Sequence, residues 1–264
     1  MNVGILGCGW LGLALGKQLI KNGNIVRGSS TQRGRLKELE DEGLVAFPIS
    51  VGEKEISGNL DFFKELDVLI LSIPPGRKRL EKNNFSAIIA QCCLAIDAYK
   101  IPRVIFLSSI SVYGNQEGIL DETTPVKPVT EAAKHLVKSE EKIQKVIQNN
   151  VIIRLGGLIG KERHPIRQLS GKKVGNPDGY INFIHQDDAV GILLKVIENT
   201  ALEGIYNAVT PAYPRRKQYY LEMAKRRGLP PPEFINSNQC KRMVLGVKFQ
   251  KISGFKFSVN NLMI

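Results

Sequence analysis

The chain is poor in the residues that staple small proteins or ligate metals: its 264 residues include four cysteines and three histidines. Cys8, Cys92, Cys93 and Cys240 form no CxxC spacing, and three of them lie in apolar or motif segments. A disulfide framework or cysteine metal site is not expected, and the thiols read as reduced packing residues. No apolar run approaches the roughly 18 residues of a membrane span, and no charged leader with an apolar core precedes the first strand-like run. These absences predict a cytoplasmic protein with no membrane partner. Internal repeats and low-complexity tracts are also lacking.

Acid is scarce toward the C-terminus. The net charge is +12, and from Arg215 to Ile264 eleven basic residues face two acids, Glu222 and Glu233. Such a patch suits a small anionic substrate, nucleic acid or water alone. Nucleic acid is not expected, because aromatic interleaving stops at Tyr219, Tyr220, Phe249, Phe255 and Phe257 and no RNA or DNA motif occurs.

The most informative segment opens the chain. An apolar run, Val3 to Leu6, leads into Gly7-Cys8-Gly9-Trp10-Leu11-Gly12 and then a helical pattern. Gly7 permits a tight turn, Gly9 lets backbone approach a pyrophosphate, and Gly12 lets helix pack on strand. This context predicts a dinucleotide site; the alternative is a tight strand-to-helix turn and nothing more. Further strand-like runs are Asn24 to Arg27, Val45 to Ile49, Val68 to Ile73, Val104 to Ser108 and Val151 to Leu155. Helical stretches separate them: Leu11 to Asn22, Arg33 to Glu42, Phe85 to Tyr99 and Glu131 to Asn149. Alternation of this kind predicts an α/β fold of Rossmann type, a doubly wound parallel sheet. The expected division is a dinucleotide-binding domain over 1–155 and a smaller, partly interleaved substrate lobe over 156–264. In the lobe a helix near Gln186 to Asn199, a strand at Ile205 to Ala208 and a helix near Lys217 to Arg227 are expected.

An NAD site commonly carries an acid about 20 residues beyond the glycines, to hold the ribose 2′-hydroxyl. Here that place reads Val26-Arg27-Gly28-Ser29-Ser30-Thr31-Gln32-Arg33-Gly34-Arg35, with no carboxylate. Hydroxyls of Ser29, Ser30 and Thr31 with a guanidinium from Arg33 or Arg35 suit a 2′-phosphate, so NADP is expected over NAD. The same hydroxyls also suit capping of the next helix.

Four segments together carry a resemblance: the glycine motif, Leu71-Ser72-Ile73-Pro74-Pro75, Ser108-Ser109-Ile110-Ser111-Val112-Tyr113-Gly114, and Asn182-Phe183-Ile184-His185-Gln186-Asp187-Asp188. The chain resembles extended short-chain dehydrogenase/reductases, and most closely their atypical YeeZ-like branch of sugar-nucleotide epimerase/dehydratase homologues. The resemblance implies that Ser109 bonds the substrate's reacting oxygen, that Ile73, Pro74, Pro75 and Ser108 line the cofactor beside Gly7, Gly9, Trp10, Leu11 and Gly12, and that relatives often form homodimers. The loop holding Arg163 and His164 is where relatives contact substrate phosphates, and Ser111 and His185 are further substrate-side candidates.

The family's general acid/base is a Tyr followed four residues later by Lys, and that pair is absent. Anchored on Pro128-Val129-Thr130, its positions hold Ala132 and Leu136; counted from Val112-Tyr113-Gly114, they hold Lys134 and Lys138. The second alignment offers a lysine pair in which mutual repulsion could lower one pKa. Tyr113, His164, His185 and Tyr180 are the other candidates for proton transfer. Each also has a plain structural reading: packing for Tyr113, a helix cap for His185, a solvated helix face for the two lysines. The expected function is an NAD(P)-dependent oxidoreductase or epimerase acting on a small anionic or nucleotide-linked sugar; the alternative is a catalytically degenerate dinucleotide-binding sensor.

Overall fold

The computed structural model describes residues 1–75, 84–237, 240–259 and 261–263. In chain order the elements are β1 (Asn2–Leu6), α1 (Trp10–Lys21), β2 (Ile25–Ser30), α2 (Arg33–Asp41), β3 (Val45–Val51), β4 (Ile56–Gly58), β5 (Val68–Leu71), α3 (Phe85–Ala98) and β6 (Val104–Ser109). They continue with β7 (Gly118–Leu120), α4 (Glu131–Val146), β8 (Asn150–Leu155), β9 (Gly157–Ile159), α5 (Ile166–Leu169), β10 (Lys173–Val174) and β11 (Phe183–His185). The chain closes with α6 (Gln186–Glu198), β12 (Gly204–Ala208), α7 (Arg216–Arg226), β13 (Glu233–Phe234), β14 (Arg242–Val244) and α8 (Val247–Ser253).

Eight strands form one sheet in the order β12-β8-β6-β5-β1-β2-β3-β4, parallel except for β4 at one edge. This is the doubly wound α/β sheet the alternation predicts. The central strands are apolar on both faces because helices cover both. One core packs Phe62, Phe63, Ile88, Cys92 and Phe106 beneath α3 and α4. The other packs Leu11, Leu15, Ile153, Ile192 and Val196 beneath α1 and α6. Strands β2 and β3 are added on one side of β1 and β5, β6 and β8 on the other, so the crevice at the carboxyl ends of β1 and β5 is the switch point where such sheets bind ligands.

The segment after residue 155 is shared. Helix α6 and strand β12 belong to the sheet, β12 pairing with β8 from Gly204 opposite Val151 to Ala208 opposite Leu155. A separate core of Ile166, Ile181, Tyr219, Met223 and Leu262 forms the lobe. Two-stranded ribbons, β9 with β11 and β7 with β14, tie lobe to sheet. Helix α4 ends at Val146, short of the predicted Asn149, and Val146 is exposed. Asn150 and its neighbours pair with β6 instead, and that pairing draws the chain out of the helix.

Candidate cofactor and substrate site

The glycines act through backbone. Gly7 has φ +85°, and a side chain there would bring Cβ within 3.1 Å of the Ile73 backbone. Its N–H donates to Ser29 Oγ at 2.9 Å and the Cys8 N–H to the Ser29 carbonyl at 2.8 Å, so the buried Ser29 fastens the turn to β2. At Gly12 a Cβ would press on Ile5 and Cys8 at 3.0 and 3.2 Å, which is the helix-to-strand contact expected. Around Gly9, by contrast, a Cβ would meet nothing nearer than 4.0 Å. Gly9 caps α1 without a side chain, and no acid occupies the first turn of that helix. Bare N–H groups at a positive helix end fit an anion such as pyrophosphate.

Two cavities meet at this turn. One of about 330 Å³ runs past Ser29, Ser30, Thr31, Gln32 and Arg35 to Ile73 and Pro74. The other, about 670 Å³, passes Trp10, Leu11, Pro75 and Ser108 to Ser109, Ser111 and Arg163, with Ala132 and Leu136 of α4 on its wall. Arg33 is exposed and borders neither, so Arg35, in the first turn of α2, is the guanidinium on this cavity; its Nη1 lies 2.6 Å from Glu38. Cys8 borders the first cavity with its thiol pushed by burial up to about 12.

A third cavity of about 550 Å³ adjoins the second and shares Ser109 and Ser111 with it. Its wall carries Asn176, Tyr180, Asn182, Arg216, Cys240 and Arg242. The Arg215 guanidinium covers the Tyr180 ring at 4.1 Å, and Arg216 lies 5.3 Å from the Tyr220 ring with its buried Nε unpartnered. Arg242 donates to the Gly114 carbonyl, and burial lowers its pKa. Asn182 donates to the carbonyls of Tyr180 and Arg242 and accepts from Val244 N–H, which stitches this wall together. Ser109 Oγ accepts from Ser111 N–H at 3.1 Å, which leaves its own proton free to donate.

Several expected roles are corrected by these positions. Lys134 and Lys138 are exposed on α4 and border none of the three cavities; Lys134 pairs with Glu131 at 2.7 Å. The residues that α4 turns to the cleft are Ala132 and Leu136, the two positions given by anchoring on Pro128 to Thr130. Tyr113 is fully buried: it donates to Asn207 Oδ1 at 3.0 Å, accepts from Arg154 Nη1 at 2.9 Å, and burial raises its pKa. No proton donor for the cleft is available there. His164 is buried between Tyr219 Oη, 2.7 Å from Nε2, and Ile166 N–H, which donates to Nδ1. Burial, aided by Arg227 and Arg167, lowers its pKa to about 4 and keeps the ring neutral. His185 caps α6, accepting from Asp187 N–H at 3.3 Å, and borders none of the cavities.

Behind the α4 wall lies a buried polar chain. Ser108 Oγ donates to Glu140 Oε1 at 2.5 Å, and Arg154 holds both Glu140 oxygens, the closest contact being 2.7 Å. Arg154 continues to Tyr113, Tyr113 to Asn207, and Asn207 N–H to Glu122 at 2.7 Å, a carboxyl whose pKa burial raises. Among the described residues no group of three or more His, Cys, Asp or Glu is placed to hold a metal, and no helix is long and apolar enough to cross a membrane.

Protein YeeZ of Escherichia coli K12 is 33% identical over 238 residues, 89% of this chain and 87% of that one. The chain belongs to the YeeZ family. The epimerase family protein YfhF of Bacillus subtilis is 25% identical over 185 residues, 62% of this chain and 61% of its own. A family model described as NADP oxidoreductase, coenzyme F420-dependent, matches residues 2–79. Among solved structures, UDP-glucuronic acid 4-epimerase from Bacillus cereus in complex with UDP-glucuronic acid and NAD superposes with a TM-score of 0.81 at 17% identity, covering 97% of this chain and 94% of that one. This YeeZ-family chain thus has the Rossmann-like fold of NAD-binding epimerases. Sequence reasoning named Ser109, Ser111 and Tyr180 and quoted Asn182 within a family segment, but it did not bring them together with Asn176, Arg216 and Arg242 in one cavity. Those last three come from separated segments with no shared spacing, and the excess of base beyond Arg215 was the one advance signal for the two arginines.

Proposed function

We propose that this protein is an NAD(P)-binding oxidoreductase of the extended short-chain type, acting on an anionic, sugar-nucleotide-like substrate. The observation that carries the reading is the position of Ser109, on the border between the glycine-lined cleft and the arginine-bearing cavity. The dinucleotide fits along Gly7, Gly9, Ile73 and Pro74, where backbone is bare and no acid intrudes. When bound, it supplies hydride acceptance or donation at its nicotinamide ring. Ser109 is suited to donate to the oxygen on the reacting carbon, and Arg216 and Arg242 to hold an anionic group while Tyr180 offers a ring face. The bacterial epimerase with UDP-glucuronic acid and NAD, similar in fold, supports this choice of ligands. Arg35 with Ser30 and Thr31, and no carboxylate on that wall, favours NADP over NAD.

A second reading has its own observation. Ala132 and Leu136 leave the cleft with no tyrosine or lysine from α4, and loss of proton transfer removes a factor of about 10² to 10⁴. A dinucleotide-binding sensor is what that loss produces if nothing replaces the pair. Steady-state assays over UDP-sugars and simple aldehydes with NADPH and NADH separate the two. Turnover that vanishes in Ser109→Ala establishes the enzyme; tight NADPH binding without turnover establishes the sensor.

A further inference from the structure

Arg163 stands apart from the third cavity. It borders only the cleft shared by Gly7, Gly9, Trp10 and Leu11, and its guanidinium lies 5.3 Å from the centre of the Trp10 ring. Trp10 is the first residue of α1, directly after the bare Gly9. The turn carrying Arg163 is built to sit there. Gly160 N–H donates to the Arg163 carbonyl at 2.9 Å and Arg163 N–H to the Gly160 carbonyl at 3.1 Å. A Cβ on Gly160 would come within 2.9 Å of Trp10, so only glycine lets this turn close on the indole. From α6, Gln186 Nε2 donates to the Trp10 carbonyl at 3.1 Å and fixes the start of α1 against the same turn. No carboxylate among the described residues pairs with Arg163.

We infer that Arg163 is a clamp for the pyrophosphate of the bound dinucleotide, reaching from the lobe across the cleft to the anion held at Gly9. The inference rests on the dinucleotide reading above, and it moves Arg163 from the substrate to the cofactor. Two features decide between those ligands. The substrate cavity has guanidinium groups of its own, Arg216 and Arg242, whereas the α1 end has no cationic side chain on the glycine loop itself. Arg163 is exposed, and its position over the Trp10 ring narrows the space its guanidinium explores, so a contact to phosphate costs less ordering.

Trp10 is the only tryptophan, which gives the test its signal. Binding of NADPH and of ADP-ribose to the full chain is followed by Trp10 fluorescence, with energy transfer to the reduced nicotinamide as a second readout. Arg163→Ala is expected to raise both dissociation constants about tenfold or more, and Arg163→Lys to recover part of the loss. Gly160→Ala, which pushes the turn off Trp10, should act in the same direction. Unchanged constants in Arg163→Ala, with normal binding by the unmutated protein, overturn the clamp and leave the dinucleotide site standing. Failure of the unmutated protein to bind either ligand overturns the dinucleotide reading itself.

Discussion

The cleft has two walls made in different ways. The glycine wall is backbone: Gly7 turns at positive φ, Gly9 is left open, Gly12 lets α1 approach β1. The α4 wall is side chain: Ala132 and Leu136 face the cavity, and Glu140, one turn on, anchors Ser108 and Arg154 behind it. At Gly7 and Gly12 an added Cβ would crowd Ile73, Ile5 and Cys8, so these two positions of the first wall are tied to glycine by the fold itself. Side-chain features change without cost to the helix, since Ala and Leu are good helix formers and Leu136 packs in the core. Cofactor geometry and proton chemistry are separable in this fold, and α4 borders the cleft with Ala132 and Leu136, neither of which titrates.

The sharpest way to break that contrast is to give α4 its missing chemistry. Ala132→Tyr combined with Leu136→Lys places a phenol and an ammonium one helical turn apart on the cleft wall. Turnover of a UDP-sugar is expected to rise by about 10² to 10⁴, measured as steady-state rates against the parent chain. No gain would mean that α4 is not oriented toward the reacting carbon. The buried chain behind the wall is tested by Glu140→Ala, which leaves the Arg154 charge unpaired at 4% exposure. A loss of roughly 3–5 kcal/mol in urea denaturation is expected, and Glu140→Gln should lose less because it keeps an acceptor for Ser108. A loss well below that range would show that the network does not anchor this wall.

The same contrast explains what could be read from the chain. The parallel doubly wound sheet, its main helices and the turn at Gly7 were legible because periodicity and glycine spacing are local signals. Ala132 and Leu136 were legible only as one of two alignments, and it took the helix face to place them on the cleft. Tyr113 and His185 were offered both as site candidates and in the packing and capping roles they take, and His164 only as a site candidate, because sequence marks a titratable group but seldom its partners. Asn207, Tyr219 and a helix end turned them into structure. Arg242 and Arg216 escaped because a cavity formed by separated loops leaves no pattern along the chain.

His164 offers a smaller effect, on the lobe that carries Arg163. Its pKa is about 4 in the folded chain against an ordinary 6.5. The unfolded chain therefore binds more protons between those values. Stability contributed by the neutral, buried ring is full above pH 6.5 and is lost as pH falls toward 4, by about 2–3 kcal/mol. His164→Asn removes this titration, so its stability should depend less on pH across the same window in denaturant titrations. Parallel pH profiles for the two proteins would show that the ring does not titrate differently on folding.

Arg35 gives the smallest effect and asks whether the glycine wall distinguishes NADP from NAD. It borders the cavity with Ser30 and Thr31, but Glu38 holds its guanidinium at 2.6 Å and competes with any phosphate. Arg35→Ala is expected to reduce the preference for NADPH over NADH about fivefold, since a partly exposed charge contact is worth about 1 kcal/mol. Arg33→Ala should leave the preference unchanged, because Arg33 points to solvent. Glu38→Gln releases the guanidinium and should strengthen NADPH binding modestly while leaving NADH unaffected. Equal affinities for the two cofactors in the unmutated chain would assign Ser29 and Ser30 to fastening the turn and leading into α2, the roles their hydrogen bonds to Gly7 and Gln32 already serve.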